Sequence, residues 1–266
     1  MSYMARRVIV VVSGLTLLLL GGCGATFRVN MPNPAPAKIS STEIMMTVQQ
    51  NEIYAEVERS NLTGAMGGGL LFALIDSSIE SGRTEKAEEA IKPVRNALLE
   101  YNFNDEFIKA TGEQLKKIDW LKISKINLIQ LKPDQEIESV ISKSASNMVL
   151  KIDAKYYLSP KFDQLVLEAN VTAFPNDKDM KAIAEKYNAD TDSTVLYREN
   201  FKKYERSVTV SKSLSETAGN WTVNNGATIK SAMQSAVQEL AKQIASGLEA
   251  DRNRKVTAQA DTASVQ

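Results

Sequence analysis

Strict alternation of apolar and polar side chains over residues 148–173 is the feature that most restricts how this chain can fold. In the first half, the apolar positions are Met148, Leu150, Ile152, Ala154, Tyr156 and Leu158. In the second half, they are Leu165, Leu167, Ala169, Val171 and Ala173. Ser159 and Pro160, which lie between the halves, are typical of a turn. Because successive side chains of a strand point to opposite faces, the pattern predicts an antiparallel hairpin with one buried face and one wetter face.

The remaining segments predict helices and further strands around this hairpin. Before the hairpin, we expect one bulged strand or two short strands in 43–58, then a helical segment at 63–118 with a kink or boundary at Pro93. A strand at 120–131 and a short helix after Pro133 should follow. After the hairpin, we expect a loop with a short helix at 177–193, a strand at 194–210 and a closing helix from about Asn225. A shift of the apolar phase within 194–210 predicts a bulge near Lys202 and Lys203. The closing helix carries an apolar stripe that would cover the sheet. These elements predict an α+β fold, with a mostly antiparallel sheet covered by helices, an inserted helical segment and a disordered N-terminal tether.

The amino terminus has the pattern of an export signal. Two arginines precede an uncharged stretch of thirteen residues, 8–20, which is too short for a membrane-spanning helix of about 20 residues. A positive start, a short apolar core and small residues before Cys23 are typical of secretion signals. Residues 20–23, Leu-Gly-Gly-Cys, resemble the lipobox of bacterial lipoproteins.

This resemblance implies a signal peptide at 1–22 that is cleaved after Gly22. It also implies a diacylglycerol on the sulfur of Cys23 and a fatty acyl chain such as palmitate on the new amino terminus. Two or more acyl chains hold a protein stably on a membrane, whereas one chain binds marginally. Gly24 stands where an aspartate would favour the inner membrane, so the resemblance implies an outer-membrane protein that faces the periplasm. An ordinary secretion signal with a chance cysteine and an uncleaved signal anchor are the alternatives.

Three composition zones follow the signal. Pro32, Pro34 and Pro36 alternate with small residues and favour an extended conformation, so we expect 23–40 to be a disordered tether. An arm that packs on the domain is the alternative. We expect a single α+β domain at 41–250 and a disordered polar tail at 251–266.

The composition excludes most catalytic and metal-binding designs. The chain has no histidine and one cysteine, which excludes His-containing triads, His-ligated metals and, once Cys23 is acylated, thiol catalysis. The processed chain would carry 30 basic and 32 acidic residues, so its net charge does not attract nucleic acid. We therefore predict no enzymatic activity, no catalytic residue, no cofactor and no metal.

Two sets of carboxylates are the remaining candidates for chemistry. Asp76 and Glu80 are four residues apart on the predicted helix and could form a hydrolase pair, although solvated side chains or a pair with Arg83 are the plainer interpretation. Asp177, Asp179, Asp190 and Asp192 offer oxygen ligands of the kind that Ca²⁺ prefers, but the EF-hand pattern is absent from the sequence.

Aromatic and basic residues interleave at 155–157 and 197–206. We predict that Tyr157, Arg198, Lys202 and Lys203 form an interaction face for a glycan or an acidic partner. Long side chains that only cover the outer face of a sheet are the alternative. The glycine-rich segment 64–69 predicts either a turn into a buried helix or self-association through close helix contact.

The element order from about 119 to 250, behind a lipobox, is similar to that of envelope lipoproteins whose α/β domain resembles the amino-terminal domain of TolB and the curli-secretion lipoprotein. The segment 67–91 also resembles uncharacterised proteobacterial lipoproteins. The first resemblance implies action through protein contacts. We therefore predict a membrane-anchored, non-enzymatic structural, interaction or assembly module, whose partner is an envelope protein or a second copy of the chain. A lipid-handling or transport-accessory lipoprotein is the alternative, and a carboxylate-dependent hydrolase is a distant third.

Overall fold

The predicted hairpin forms the centre of the sheet. In the computed structural model, β4 spans Met148–Leu158 and β5 spans Gln164–Pro175. The two strands pair in antiparallel register from Met148 opposite Pro175 to Leu158 opposite Leu165. The apolar face predicted from the alternation is buried. This confirms the hairpin.

The structure describes residues 28–48, 50–57, 70–130, 137–188, 194–206 and 208–252, with the side chains of residues 70–80 left outside the description. Cys23, Gly22 and the segment 64–69 lie outside the described residues, so the predictions on them stay predictions.

Four further strands complete a six-stranded mixed sheet. They are β1 at Thr42–Val48, β2 at Tyr54–Ala55, β3 at Ile123–Leu128 and β6 at Tyr197–Arg206. The order across the sheet is β3-β1-β4-β5-β6, and β2 pairs with β4 beyond the end of β1. β1 is parallel to β3 and β4, whereas β5 is antiparallel to both of its neighbours. The α+β class is confirmed, and residues 43–58 form two short strands.

Seven helices flank the sheet in the described part of the chain. They are α1 at Ala35–Lys38, α2 at Leu70–Ala97, α3 at Phe103–Leu115, α4 at Ile137–Ile141, α5 at Lys178–Tyr187, α6 at Leu214–Trp221 and α7 at Val223–Arg252. The helix α2 continues through Pro93 and ends four residues later at Ala97. Asn102 caps α3 by accepting a hydrogen bond from the backbone N–H of Asp105 at 3.2 Å.

The hydrophobic core lies between the sheet and α7. The stripe of α7 is almost completely buried, as are the facing residues of β4 and β5. Each fully buried Ile or Leu side chain of this stripe contributes about 1.5–3 kcal/mol to folding. α7 packs on β5 and β6, while α3 packs on α7. The prediction that the closing helix covers the sheet is therefore confirmed.

The predicted bulge in the last strand is wrong. β6 pairs with β5 without a register shift from Tyr197 to Arg206, so there is no bulge at Lys202. The apparent phase shift arises because Tyr204 is an exposed aromatic residue on the outer face, not a core residue. Trp221 ends α6 and is fully buried.

The proline-rich segment packs on the domain over residues 29–39, so the prediction of an extended tether is wrong there. Val29 pairs with Arg198 at the edge of β6, and α1 follows. Ala35 and Ile39 are fully buried, which offsets the proline preference for an extended chain. The packed arm, which was the alternative, is what these residues form. At the other end, α7 extends through Asp251, which is buried, so the polar tail does not begin there.

Candidate functional site: the outer face of the sheet

The regular register of β4, β5 and β6 places predicted and unpredicted residues side by side on the outer face. Lys155, Glu168 and Lys202 lie opposite one another across the three strands. The next row toward the end of β6 places Tyr157, Val166 and Tyr204 together. Tyr54 of β2 pairs with Tyr157 and extends this row. We call the following residues the tyrosine–lysine cluster: Tyr54, Lys155, Tyr157, Glu168, Asn200, Lys202 and Tyr204.

Tyr157 is the centre of the cluster. Its ring stacks on that of Tyr54, with centroids 5.2 Å apart and an interplanar angle of 21°. The ammonium groups of Lys155 and Lys202 lie 5.7 and 5.9 Å from the centroid of Tyr157. Lys202 also lies 5.6 Å from the ring centroid of Tyr204. These distances are within the range of cation–π attraction, so each lysine is held against an aromatic face.

Glu168 joins the two lysines electrostatically. Its Oε2 lies 3.3 Å from the Nζ atoms of both Lys155 and Lys202. Its Oε1 accepts a hydrogen bond from Asn200 at 2.9 Å, and the Tyr157 hydroxyl donates to Oε2 at 3.4 Å. Burial opposes ionisation of this carboxyl, but the Asn200 hydrogen bond and the two ammonium charges outweigh it. The pKa of Glu168 therefore lies below its ordinary value.

Burial acts on the other titratable groups of the cluster as well. Burial, reinforced by the neighbouring Tyr157, raises the pKa of Tyr54 to about 12. Burial also raises the pKa of Tyr157, against the opposing effect of Lys202. For Lys202, burial alone would lower the pKa, but the Tyr157 hydrogen bond and the Glu168 charge hold it above its ordinary value. At neutral pH Glu168 is therefore ionised and Lys202 protonated, while Tyr54 and Tyr157 are neutral.

The exposure of the three tyrosines differs sharply. Tyr157 is 3% exposed and Tyr54 is partly buried, whereas Tyr204 is 54% exposed. The side chains of Lys155 and Lys202 are 42% and 33% exposed. The buried pair forms a base on which Tyr204 and the two lysines are presented to solvent. This arrangement can receive an apolar or planar group flanked by negative charge.

Two of the four predicted interaction residues belong to the cluster, and two do not. Tyr157 and Lys202 are neighbours on the outer face. Arg198 lies on the same face but four residues along β6 from Lys202, or about 13 Å. Lys203 is opposite Leu167 on the inner face, where it pairs with Glu205 at 3.5 Å. The structure therefore does not bring Lys203 together with Tyr157 and Lys202, because adjacent residues of a regular strand point to opposite faces.

Sequence reasoning did not single out the other five residues of the cluster, among them Tyr54, Glu168 and Tyr204. Glu168 was visible as a polar position of the hairpin, but its lysine neighbours on β4 and β6 depend on strand pairing. Tyr54 reaches the cluster through a parallel pairing between residues about 100 positions apart. Tyr204 carried a usable signal, because an unbroken alternation from Lys202 would have placed it on the same outer face.

Away from the cluster, part of the outer face is covered and some of its polar side chains pair with one another. α4 covers one end, where Ile141 packs with Met45 and Val149. Toward the middle, Lys151 and Asp153 form an ion pair at 2.6 Å, and Thr47 donates a hydrogen bond to Asp153. The cluster is thus the part of this face that combines exposed aromatic and cationic groups.

The other chemical candidates do not converge in the described residues. Asp177 caps α5 by accepting a hydrogen bond from the backbone N–H of Met180 at 2.7 Å. Asp179 lies in the first turn of the same helix, and Asp190 and Asp192 lie outside the description. Asp76 and Glu80 lie in α2, but their side chains are also outside it. Within the described ranges, no three acidic or cysteine side chains are grouped as metal ligands would be.

Among the helices of the described ranges, none is both long and apolar enough to cross a bilayer.

Comparisons with known proteins give no match. No protein-family model, curated protein or solved structure is significantly similar to this chain.

Proposed function

We propose that this protein is a lipid-anchored envelope lipoprotein whose domain acts as a non-enzymatic interaction or assembly module. In this proposal, acylated Cys23 holds the protein in the outer membrane, and the domain faces the periplasm. The tyrosine–lysine cluster binds an envelope protein. The single observation that carries the binding role is the exposed Tyr204 beside Lys202 on the outer face of the sheet.

The composition of the cluster favours a protein partner with an acidic patch. Tyrosine is enriched in protein interfaces because it offers a large contact area together with a polar hydroxyl. Glu168 and the nearby Glu56 balance the charge of the two lysines, but the ammonium group of Lys202 lies directly beside the exposed Tyr204. A cation at this place favours a partner that presents a carboxylate there. The central strands β4 and β5 hold Lys155, Tyr157 and Glu168, whereas Lys202 and Tyr204 lie on the edge strand β6, which pairs with β5 along its whole length. Side chains held on a paired strand need little ordering of the backbone on binding.

The packing of the core favours this module over a lipid-handling protein. Across the described residues, the facing side chains of α7, β4 and β5 are buried and in contact, which leaves no wide apolar groove between these elements. A hollow of about 370 Å³ lies between α4, the end of β5 and α5. Its lining is largely apolar, with Ile141, Phe174 and Pro175, but it also includes the charged residues Glu138, Lys181 and Glu185. An acyl chain would desolvate these charges, which is costly.

The state of Glu168 also argues against a hydrolase at the cluster. Its low pKa keeps it ionised near neutral pH, and both of its oxygens are engaged. A general acid needs a raised pKa and a second carboxylate within about 5–9.5 Å. Glu168 is surrounded by lysines and asparagine instead.

The anchor is tested with a Cys23→Ala variant. We expect the unmodified chain to partition into the detergent phase, to float with outer-membrane fractions and to show acyl chains at residue 23 by mass spectrometry. The variant should lose the acyl mass and the detergent partitioning. Unchanged partitioning of the variant, or an intact amino terminus with a bare thiol, would refute the proposed anchor.

Binding at the cluster is tested with a photo-crosslinking amino acid at position 204 in native envelopes. Position 187 is the matched control, because Tyr187 is 48% exposed and lies on α5 away from the cluster. We expect a discrete adduct from 204 that is absent from 187 and is strongly reduced by Lys202→Glu. An identical adduct pattern from both positions, insensitive to Lys202→Glu, would contradict binding at the cluster.

A further inference from the structure

The N-terminal arm is joined to the edge of β6 by backbone hydrogen bonds. The N–H of Val29 donates to the carbonyl of Arg198 at 2.9 Å, and the N–H of Arg198 donates back to Val29 at 2.9 Å. This reciprocal pair adds the arm to the sheet next to the first residues of β6. Residue 29 is therefore fixed with respect to the domain.

Side chains also fasten the arm to the last turn of α7. Arg28 pairs with Glu199 at 2.7 Å and with Asp251 at 3.3 Å. The N–H of Met31 donates a hydrogen bond to the Asp251 carboxylate, whose side chain is only 1% exposed. A buried carboxylate that loses such partners is strongly destabilising, so the contact resists opening. The arm, the start of β6 and the end of α7 form one connected region, which we call the anchored end.

The chain between the acylation site and the anchored end is short. From Cys23 to Arg28 there are five Cα–Cα steps, which span at most about 18 Å in any conformation. A bilayer to which Cys23 is fixed is therefore always within this reach of Arg28. A free tether of 23–40 would allow on the order of 50 Å.

We propose that the anchored end of the domain rests against the lipid surface and directs the tyrosine–lysine cluster away from it. This inference relies on the proposed acylation of Cys23. Arg198 lies at the anchored end, and Tyr204 follows six residues later, about 20 Å along β6. Arg252 is exposed at the end of α7, and Arg254 and Lys255 follow in the sequence. These cations suit anionic headgroups.

The helix α7 provides a matched pair of reporter positions for this orientation. Ala250 is exposed at the anchored end, and Ala227 is exposed near the opposite end, about 35 Å away along the helix axis. Because Cys23 is the only cysteine and is acylated in this proposal, an engineered cysteine is the only free thiol of the chain. Ala250→Cys and Ala227→Cys can each carry one donor fluorophore.

The experiment uses the full lipidated chain in vesicles of phosphatidylethanolamine and phosphatidylglycerol with acceptor-labelled headgroups. Residue 250 stays close to the bilayer however the domain tilts, because it lies at the anchored end. The mean distance of residue 227 from the bilayer is larger. We expect energy transfer from 250 to exceed that from 227 by about twofold or more, given their separation of about 35 Å. Equal transfer, or higher transfer from 227, in protein that floats with the vesicles overturns the inference while leaving the anchor intact. Failure to float overturns the proposed anchor and this inference with it.

A second variant tests whether the short connection causes the orientation. A flexible insert of about 20 Gly and Ser residues after Gly24 adds a root-mean-square reach of about 25 Å. We expect the difference between positions 250 and 227 to collapse in this variant, while circular dichroism of the domain stays unchanged. A difference that persists in full would overturn the role of the short connection.

Discussion

Glu168 and its neighbours set the charge of the outer face at the scale of single residues. Its carboxylate contacts two lysines and an asparagine, which keeps it ionised despite partial burial. In return, Glu168 holds Lys155 and Lys202 over the ring of Tyr157. Removing its charge should therefore affect both stability and the placement of the two cations.

The Glu168→Gln variant should lower the free energy of unfolding at pH 7 by about 1 kcal/mol, since a charge-assisted contact is lost at a partly solvated site. The folded pKa of Glu168 is lowered, so its contribution is present above the unfolded value of about 4.3. That contribution disappears as the pH falls through the folded pKa. Urea denaturation at pH 7 and pH 3 should therefore show a difference from wild type that shrinks in acid.

Glu89→Gln serves as the control for this titration. Glu89 forms an exposed i,i+3 ion pair with Lys92 on α2, and such pairs contribute little to stability. A loss in Glu89→Gln as large as in Glu168→Gln, or a Glu168→Gln deficit that grows in acid, would contradict the role assigned to Glu168.

The junction between α6 and α7 shows how one element positions another. Asn224, Asn225 and Gly226 have φ values of 53°, 56° and 77°, so three consecutive residues are left-handed. Asparagine and glycine tolerate this conformation better than other residues. The turn lets Trp221 enter the core, where its Nε1 donates to the carbonyl of Phe162 at 2.5 Å. It also places Gly226, after which α7 is regularly helical, against Ala97 at the end of α2.

Gly226→Ala should destabilise the domain by about 2–4 kcal/mol, because it combines a left-handed residue with a side chain that has no space. A Cβ at this position would lie 2.6 Å from the Cβ of Ala97. Thermal or urea unfolding measures the loss.

Gly219→Ala is the matched control for the junction. Gly219 lies within α6, and a Cβ there would meet no atom within 4 Å. Alanine should be neutral or stabilising by up to about 1 kcal/mol, because it lowers the entropy of the unfolded chain. Similar losses in both variants would mean that the left-handed junction is not what makes Gly226 necessary.

The whole molecule is organised around one core that includes the N-terminal arm. A single cluster of buried side chains contains Met31, Ala35 and Ile39 together with the stripe of α7 up to Leu248. The folded unit within the described residues therefore begins before residue 41. An arm fixed in this way also shortens the link to the proposed membrane anchor.

A chain that starts at residue 41 should unfold at a temperature about 10 °C or more below that of a chain that starts at Arg28. The shorter chain loses the burial of Met31, Ala35 and Ile39, roughly 3–6 kcal/mol in total. Differential scanning calorimetry of both chains measures the difference. Equal melting temperatures would mean that the folded domain begins at residue 41, as the sequence pattern predicted.

The sequence by itself determined the elements whose side chains repeat with a clear period. The alternation at 148–173 required the hairpin, and the stripe from Ile229 to Leu248 required α7, because burial of one face is a local property of the chain. The capped helix after Asp177 follows from the same local physics. The resemblance of residues 20–23 to a lipobox and the absence of histidine are also features of the sequence alone.

Tertiary structure alone decided which of these faces meet and which polar groups become partners. Tyr54 reaches Tyr157, and Arg28 reaches Asp251, through contacts between segments that are 100 to more than 200 residues apart. Short-range periodicity contains no information on such pairings. For the same reason, the sequence pattern predicted that Asp251 is a solvated tail residue and that the proline-rich arm is extended. A carboxylate or a proline becomes part of a core only when distant segments supply its hydrogen bonds and its apolar contacts.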